Sequence, residues 1–245
     1  MSSPPEKKLE IVAHRGFSAL APENTLAAFA AAIKWGADSL EFDIQLSSDG
    51  VPIVIHDVTL DRICGTPGLV KEKTLKELKT LDVGSWFDMQ FSGERIPTLE
   101  EALAAAKTIK KYIYFDVKPH CDWNDAVVDL FVNILRNGKW ENRCVISSFN
   151  EEFVERVRRI APEFTFGYIV ASAEAYQSQL EKASATGNSV MISLYKLLLE
   201  NPSFIEISKS QGVDIVAWTV DNLEEARQLA SMGVWRIITN SLIGI

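Results

Sequence analysis

The sequence predicts an α/β protein, a (β/α)₈ TIM barrel with a small inserted cap after its second strand. Strand-like and helix-like segments alternate along nearly the whole chain, and eight strand-like segments belong to this alternation. The length of 245 residues is close to that of single α/β barrels. Because repeated βα units build parallel sheets, eight of them at this length favour a closed barrel over an open sheet.

The first repeats lie near the N-terminus. Residues 9–13 form a short apolar run, and residues 24–35 follow with apolar side chains at helical spacing behind an Asn-Thr start. Residues 39–46 alternate like a strand and end in the turn signal Ser-Ser-Asp-Gly. A shorter strand is predicted at residues 52–55, directly before His56.

Residues 57–97 interrupt this alternation. The segment is rich in Gly, Pro and Thr and contains one predicted short helix, at residues 75–81. It is too long for an ordinary βα connection, so we expect it to form a cap over the barrel mouth. No repeat, low-complexity tract or linker marks a second domain, and we therefore expect residues 1–245 to form one domain that includes the cap.

The alternation resumes after the insertion. We predict helices at residues 99–108, 124–137, 151–160, 174–185, 203–211 and 223–232. We predict strands at residues 112–117, 144–149, 165–170, 189–194, 214–220 and 234–239. With the two main strands before the insertion, these make eight strands, and each but the last is followed by a helix.

Composition and charge exclude several classes of function. The formal net charge of −8 argues against a nucleic-acid or anionic-membrane surface, which needs a basic face. No apolar stretch approaches the roughly 18–20 residues of a membrane span, and residues 1–10 lack the apolar run of a secretory signal. Three scattered cysteines without CxxC spacing favour free thiols in a reducing compartment, so we expect a cytoplasmic protein. No feature of the sequence selects an oligomeric state.

Polar residues occur where a barrel would place its active site. Such sites lie at the C-terminal ends of the strands, and residues i and i+2 of a strand share a face. Eight residues have this placement: Glu41 and Asp43 on one face, Asp116 and Lys118 on another, and the strand-end residues His14, Arg15, His56 and Asp57. Singly, each is more often a cap, turn former or packed residue. Their joint occurrence, with two of the three histidines, favours a functional site.

The three carboxylates of Glu41, Asp43 and Asp116 predict a metal site. Converging inside a barrel, they repel each other and lose water, so they need a cation between them. All-oxygen ligands select a hard ion, Mg²⁺ or Ca²⁺, over zinc or copper. Lys118 is the alternative source of part of the compensating charge.

The same residues resemble the signature of the glycerophosphodiester phosphodiesterase family. The resemblance covers nearly the whole chain, in order: His14-Arg15-Gly16, Pro22-Glu23-Asn24-Thr25, Glu41-x-Asp43, His56-Asp57, Thr59-Leu60-Asp61-Arg62, Gly84-Ser85-Trp86-Phe87, Ile96-Pro97-Thr98-Leu99-Glu100-Glu101, Asp116-x-Lys118, Ser147-Ser148-Phe149 and Trp218-Thr219-Val220. No single piece is specific, but the combination is.

The resemblance implies hydrolysis of small glycerophosphodiesters, such as glycerophosphocholine or glycerophosphoethanolamine, to sn-glycerol 3-phosphate and an alcohol. It implies these roles: one divalent cation on Glu41, Asp43 and Asp116, acid–base catalysis by His14 and His56, and phosphate contacts from Arg15 and Lys118. Trp218 is a candidate for the substrate pocket as well as for a packed core position. The sequence leaves open which histidine is the acid, and whether water or a glycerol hydroxyl attacks the phosphorus.

Two departures from the family pattern lie at the predicted site, and a third is the Ile63-Cys64-Gly65 turn in the insertion. The third metal ligand is usually Glu, and here Asp116 is one methylene shorter. The last strand usually ends in Thr-Asp, and here Asn240 keeps the hydrogen-bonding shape but loses the charge. Neither change removes a principal catalytic group.

Three alternatives remain at this point. A phosphodiesterase for lysophospholipid or sphingomyelin headgroups would favour an apolar surface for lipid tails. A non-catalytic phosphodiester sensor would have no need of the matched pair His14 and His56. A purely structural barrel would leave the buried carboxylates unexplained. Selectivity for the alcohol is expected in residues 57–97.

Overall fold

The computed structural model describes residues 8–241. Most of the N-terminal stretch for which no secretory signal is expected, and residues 242–245, lie outside the described residues. The described strands are β1 (Glu10–Ala13), β2 (Ser39–Leu46), β3 (Pro52–Val54), β4 (Ile113–Val117), β5 (Cys144–Ser147), β6 (Thr165–Val170), β7 (Ser189–Leu194), β8 (Asp214–Trp218) and β9 (Arg236–Thr239).

Eight of these strands close into a parallel barrel. The order runs β1, β9, β8, β7, β6, β5, β4, β2, and the pairing of β1 with β2 completes the circle. Strand β3 pairs antiparallel to the end of β2 and leads into the insertion. The predicted (β/α)₈ barrel is therefore confirmed.

Helices fill the connections between the strands. They are α1 (Leu26–Lys34), α2 (Asp61–Cys64), α3 (Leu75–Leu78), α4 (Leu99–Ala105), α5 (Asp125–Asn137), α6 (Glu151–Ile160), α7 (Ala173–Thr186), α8 (Tyr195–Glu200), α9 (Ser203–Ser210) and α10 (Leu223–Ser231). The sequence did not predict α8, because it follows β7 without a turn or capping residue between them. Among the described residues, no helix is both long and apolar enough to cross a bilayer.

At the start of α1, one side chain caps the helix and its neighbour points to the barrel mouth. Its N-cap is Thr25, whose hydroxyl accepts a hydrogen bond from the backbone N–H of Ala28. Asn24, which precedes this cap, has a left-handed backbone with φ of 57° and points its side chain towards Asp43 at the barrel mouth. Capping by Thr25 thus leaves the Asn24 amide free to serve the site.

The apolar core lies on both faces of the barrel wall. Outside the wall, the rings of Phe42 and Phe115 pack against each other at 6.0 Å and against the surrounding helices. Inside it, Val12, Tyr114 and Val216 belong to a smaller cluster that fills the barrel below its mouth. The polar residues of the site lie above this cluster, towards the C-terminal ends of the strands.

Residues 57–97, which we call the cap, pack around an apolar cluster that they share with β3 and the residue after it. The cluster contains buried side chains from β3, from α2 and α3, and from the loops around them: Ile53, Ile55, Leu60, Ile63, Val70, Leu78, Val83 and Ile96. Two 3₁₀ turns, Val70–Glu72 and Met89–Phe91, complete the segment. The cap is therefore a packed structure and not a long open loop.

The packing of α5 on the barrel provides a stability test. We expect Phe131→Ala to lower the free energy of unfolding by about 3–5 kcal/mol, because the buried ring packs against Phe115, Trp123 and Phe153. Leu130→Ala, on the exposed side of the same helix, is the matched control and should change it by only about 0.5 kcal/mol. Urea unfolding followed by circular dichroism measures both, and equal losses would contradict this account of the core.

Candidate active site

A pocket of about 320 Å³ opens at the C-terminal ends of the barrel strands. All eight residues assigned catalytic, metal or substrate roles from the sequence line it: His14, Arg15, Glu41, Asp43, His56, Asp116, Lys118 and Trp218. The remaining lining residues are Tyr114, Ser147, Phe149, Ile169, Ile192, Thr219 and Ile238. The structure thus brings together residues that are up to two hundred positions apart in the sequence.

The register of β2 against β4 brings the three carboxylates together. Asp43 and Asp116 are directly paired across the two strands, and Glu41 lies one pleat earlier on the same face of β2. One oxygen from each of the three side chains lies within 4.8 Å of the others. Glu41 and Asp43 are buried, and Asp116 is half-buried.

The protonation behaviour of this cluster reflects crowded negative charge. Burial, reinforced by the Asp43 carboxylate, raises the pKa of Glu41 well above its usual value. Burial also raises the pKa of Asp116. Burial opposes ionisation of Asp43 as well, but the charges of Lys118 and Arg15 outweigh it and hold the pKa of Asp43 below its usual value.

The donor set fits a hard divalent cation. All three candidate ligands are carboxylates, and the Oδ1 atom of Asp116 is buried without a hydrogen-bond partner. Within residues 8–241, the lysine and arginine side chains paired with these three carboxylates are Arg15 and Lys118, so the ionised cluster keeps an excess negative charge. A divalent ion would reverse that sign, which an anionic substrate requires.

Lys118 is held between two of the three carboxylates. Its ammonium lies 2.5 Å from Asp43 Oδ1 and 2.6 Å from Asp116 Oδ2. Burial opposes its charge, but these two ion pairs dominate and raise the pKa of Lys118. It therefore presents a fixed positive charge to the pocket.

Arg15 takes its place through an unusual backbone turn after β1. Its φ is 57°, and its backbone N–H donates to Glu41 Oε2 at 2.9 Å. The next residue, Gly16, has φ of 80°, and a Cβ there would meet the Ala28 backbone at 2.7 Å. The guanidinium donates from Nη1 to Glu23 Oε1 at 2.8 Å and forms an ion pair of 3.1 Å with Asp43.

His14 is oriented by the end of the last strand. Its Nδ1 lies 2.7 Å from Asn240 Oδ1, and its Nε2 lies 4.0 Å from Glu41 Oε2. Asn240 in turn donates from Nδ2 to Asp221 Oδ2 at 2.7 Å, which turns its amide oxygen towards His14. Burial, with the nearby Arg15 charge, lowers the pKa of His14 to about 4.

His56 is oriented by a carboxylate and by the loop that carries it. Its Nδ1 lies 2.8 Å from Asp57 Oδ1. The loop is held by Gln45, whose side-chain N–H groups contact the carbonyls of residues 55, 56 and 57 at 2.8–3.0 Å. The side-chain oxygen of Gln45 lies 2.9 Å from His120 Nε2.

Several supporting residues were not assigned these contacts from the sequence. Asn24 donates to Asp43 Oδ2 at 2.8 Å, and Gln45 and Asn240 hold the two histidine segments. The sequence predicts that Glu23 and Asn24 orient His14 or Arg15, and Glu23 does contact Arg15. Gln45 also carries a signal, because it continues the i, i+2 series of Glu41 and Asp43 on one face of β2. The other contacts join segments that are distant in the sequence.

The wall opposite the charged cluster is apolar. It includes Phe149, Ile169, Ile192 and Ile238, and Trp218 is both a lining residue and a donor to the Ile192 carbonyl at 3.1 Å. The described lining residues include none from 57–97. In the cap, the half-exposed Trp86 ring instead packs edge-on against Phe87 at 5.7 Å.

Comparisons with known proteins point in one direction. A sequence model described as the Glycerophosphoryl diester phosphodiesterase family matches residues 14–243. A glycerophosphodiester phosphodiesterase of Caldanaerobacter subterraneus subsp. tengcongensis is 34% identical over 235 residues, covering 95% of this chain and 94% of that protein.

Solved structures agree with these matches. A phosphodiesterase of Oleispira antarctica in complex with the product sn-glycerol-3-phosphate has a TM-score of 0.85 at 28% identity, covering 94% of this chain and 92% of that one. A glycerophosphodiester phosphodiesterase of Agrobacterium tumefaciens has a TM-score of 0.80 at 30% identity, covering 96% and 97%.

The carboxylate cluster generates a prediction about cation binding. We expect Mg²⁺ or Ca²⁺ at 100 times its dissociation constant to stabilise the fold by about 2.7 kcal/mol, because it binds only the folded protein. Asp116→Asn should lose most of this stabilisation. The control Asp129→Asn, at an exposed position of α5, should keep it. Thermal unfolding with EDTA and with each ion measures the effect. An undiminished ion-dependent shift in Asp116→Asn would contradict the assigned ligand.

Proposed function

The chain belongs to the glycerophosphoryl diester phosphodiesterase family, and we propose that it hydrolyses glycerophosphodiesters to sn-glycerol 3-phosphate and an alcohol in a reaction that depends on one divalent cation, Mg²⁺ or Ca²⁺. One observation carries the proposal. A single pocket holds three convergent carboxylates, two fixed cationic side chains and two histidines with different hydrogen-bond partners. The product bound to the Oleispira antarctica structure supports the substrate class.

Phosphate binding falls to Arg15, Lys118 and the cation site. The Arg15 guanidinium suits a two-point contact with phosphoryl oxygens, and the Lys118 ammonium acts as a point charge. Glu41, Asp43 and Asp116 would hold the cation. When bound, that ion withdraws electron density from the phosphoryl group and stabilises charge that develops in the transition state. These groups are fixed before substrate arrives, so little reorganisation is needed during the reaction.

His14 is assigned the role of general base. Because Asp221 fixes the orientation of the Asn240 amide, the amide oxygen faces His14 and requires a hydrogen on its Nδ1. The Nε2 atom then carries a lone pair directed towards Glu41 and the pocket. His14 Nε2 would accept the proton of the attacking hydroxyl, from water or from the glycerol moiety of the substrate.

His56 is assigned the role of general acid. Its Nδ1 faces the Asp57 carboxylate, which can only accept a hydrogen bond, so the ring is oriented with its Nδ1–H towards Asp57. Its Nε2–H would then protonate the departing alcohol oxygen as the P–O bond breaks. The two histidines thus differ because one faces an amide oxygen and the other a carboxylate.

The alcohol of the substrate would lie along the apolar wall. Phe149 is 53% exposed at the mouth, and Trp218 and the three isoleucines continue the wall inwards. We therefore expect selectivity for the alcohol on the β5 to β9 side of the barrel, in addition to any contribution from residues 57–97. No described feature favours a lipid headgroup over a soluble diester.

Product release tests the proposal. We expect sn-glycerol 3-phosphate to be released from glycerophosphoethanolamine, turnover to stop with EDTA, and added Mg²⁺ or Ca²⁺ to restore it. Lysophosphatidylcholine and sphingomyelin serve as alternative substrates in the same assay. Absence of turnover on the soluble diesters by folded, metal-supplied protein would overturn the proposal, and turnover on a lipid alone would replace the substrate class.

The two histidine roles can be separated by the leaving group. We expect His14→Gln to lower kcat/KM by about 10²–10⁴-fold on glycerophosphoethanolamine and on the p-nitrophenyl ester of glycerol 3-phosphate alike. His56→Gln should be comparably impaired on the first substrate but far less on the second, because p-nitrophenolate leaves without a proton. Steady-state kinetics on both substrates measure this.

His120→Gln is the matched control for these variants. His120 contacts Gln45 and does not line the pocket, so we expect changes of only a few-fold. Equal sensitivity of His14→Gln and His56→Gln to the leaving group would contradict the division of roles.

A further inference from the structure

Arg62, in the first helix of the cap, donates hydrogen bonds to two carboxylates at once. Its Nη1 and Nη2 donate to Glu23, both at 2.8 Å. Its Nε and Nη2 donate to Asp57 at 2.6 and 3.0 Å. Each contact is a two-point one, so the guanidinium fixes the plane as well as the position of both carboxylates.

Each of these carboxylates also holds a residue of the pocket. Glu23 Oε1 accepts a hydrogen bond from Arg15 Nη1 at 2.8 Å. Asp57 Oδ1 lies 2.8 Å from His56 Nδ1. Arg62 itself is absent from the described lining of the pocket, so it reaches Arg15 and His56 only through Glu23 and Asp57.

The charge of Arg62 matters for an anionic substrate. Glu23 and Asp57 place two negative charges beside the phosphate site. Burial opposes ionisation of Glu23, but the Arg62 hydrogen bonds and the Arg15 charge outweigh it and hold the pKa of Glu23 below its usual value. Glu23 divides its negative charge between the guanidinium groups of Arg15 and Arg62. Its carboxylate therefore neutralises Arg15 only in part, and the Arg15 guanidinium can still bind phosphate.

The cap holds Arg62 in place. Its neighbours Leu60 and Ile63 are buried in the apolar core of the cap. From the far end of the cap, the Trp86 ring lies 5.5 Å from the Arg62 guanidinium carbon, within range of a cation–π contact. The packing of residues 57–97 therefore determines where the guanidinium sits.

We propose that Arg62 is a positioning residue that couples the cap to both halves of the reaction, by orienting His56 through Asp57 and Arg15 through Glu23. The proposal rests on the function proposed above. It gives the cap a role in the reaction: the cap sets the geometry of two pocket residues from outside the described lining of the pocket.

Arg62→Gln and its matched control Arg95→Gln test this role. Arg95 is also in the cap and its side chain is equally exposed, at 42%, but it contacts Asp82 and the Glu94 carbonyl instead of the site. We expect Arg62→Gln to lower kcat on glycerophosphoethanolamine by about 10–100-fold, as loss of an orienting partner typically does, and Arg95→Gln to leave it unchanged.

Two further readouts distinguish positioning from general destabilisation. On the p-nitrophenyl ester of glycerol 3-phosphate, the loss in Arg62→Gln should be smaller, because only the Arg15 branch then contributes. Arg62→Lys should recover the activity partly, since an ammonium cannot make two-point contacts with both carboxylates. If Arg62→Gln unfolds at a lower temperature than Arg95→Gln, Arg62→Lys replaces it in the kinetic comparison.

Imidazole ¹⁵N NMR provides a readout without turnover, and only three histidines contribute signals. We expect the His56 signals to move in Arg62→Gln and not in Arg95→Gln. Kinetic constants and His56 signals that are the same in both variants would overturn the proposal. If the wild-type protein hydrolyses no glycerophosphodiester, the proposed function fails, and the NMR comparison alone then decides whether Arg62 positions His56.

Discussion

Compensation of buried charge is the constraint on which the barrel mouth depends. Glu41 and Asp43 are almost completely buried, and an ionised carboxylate in that position is costly unless it is paired and hydrogen-bonded. Arg15, Lys118 and Asn24 provide the pairing. The Arg15 side chain needs a partner of its own, which is Glu23. Glu23 in turn pairs with Arg62, whose side chain is partly exposed to solvent. The network ends where solvent can take over the compensation.

Two residues beside the carboxylate cluster have an unfavourable backbone conformation. Arg15 and Asn24 both have φ of 57°, a left-handed conformation that non-glycine residues rarely adopt. Asn24 donates its backbone N–H to the Arg15 carbonyl at 2.9 Å, so the two unusual residues are tied together. Their side chains meet at Asp43 from different directions. The turn after β1 and the carboxylates of the candidate cation site are therefore held together by the same contacts.

The two departures from the family pattern are accommodated by neighbouring atoms. The shorter Asp116 still brings an oxygen within 4.8 Å of Glu41 and Asp43, because the β2–β4 register places it directly beside Asp43. Asn240 lacks the negative charge of the family's Asp, but Asp221 lies next to it on the side away from His14. The Asp221 carboxylate accepts hydrogen bonds from both the backbone N–H and the side-chain amide of Asn240. An amide between His14 and Asp221 transmits orientation but keeps the full charge away from the imidazole.

Strand periodicity and strand ends are local properties, so the sequence alone predicts the barrel strands, the insertion and eight of the residues that line the pocket. Glu41 and Asp43 share a face whatever the rest of the fold, and His14 and His56 follow apolar runs. Helix α8 escaped prediction because no local signal separates it from β7. His56 meets its neighbour Asp57, but other partners arise only when the chain folds: Asn240 meets His14 across 226 residues, and Arg62 meets Glu23 across 39. Such contacts depend on how the barrel closes and how the cap packs. Hydrogen bonds between distant segments produce no periodic pattern in the sequence from which they could be predicted.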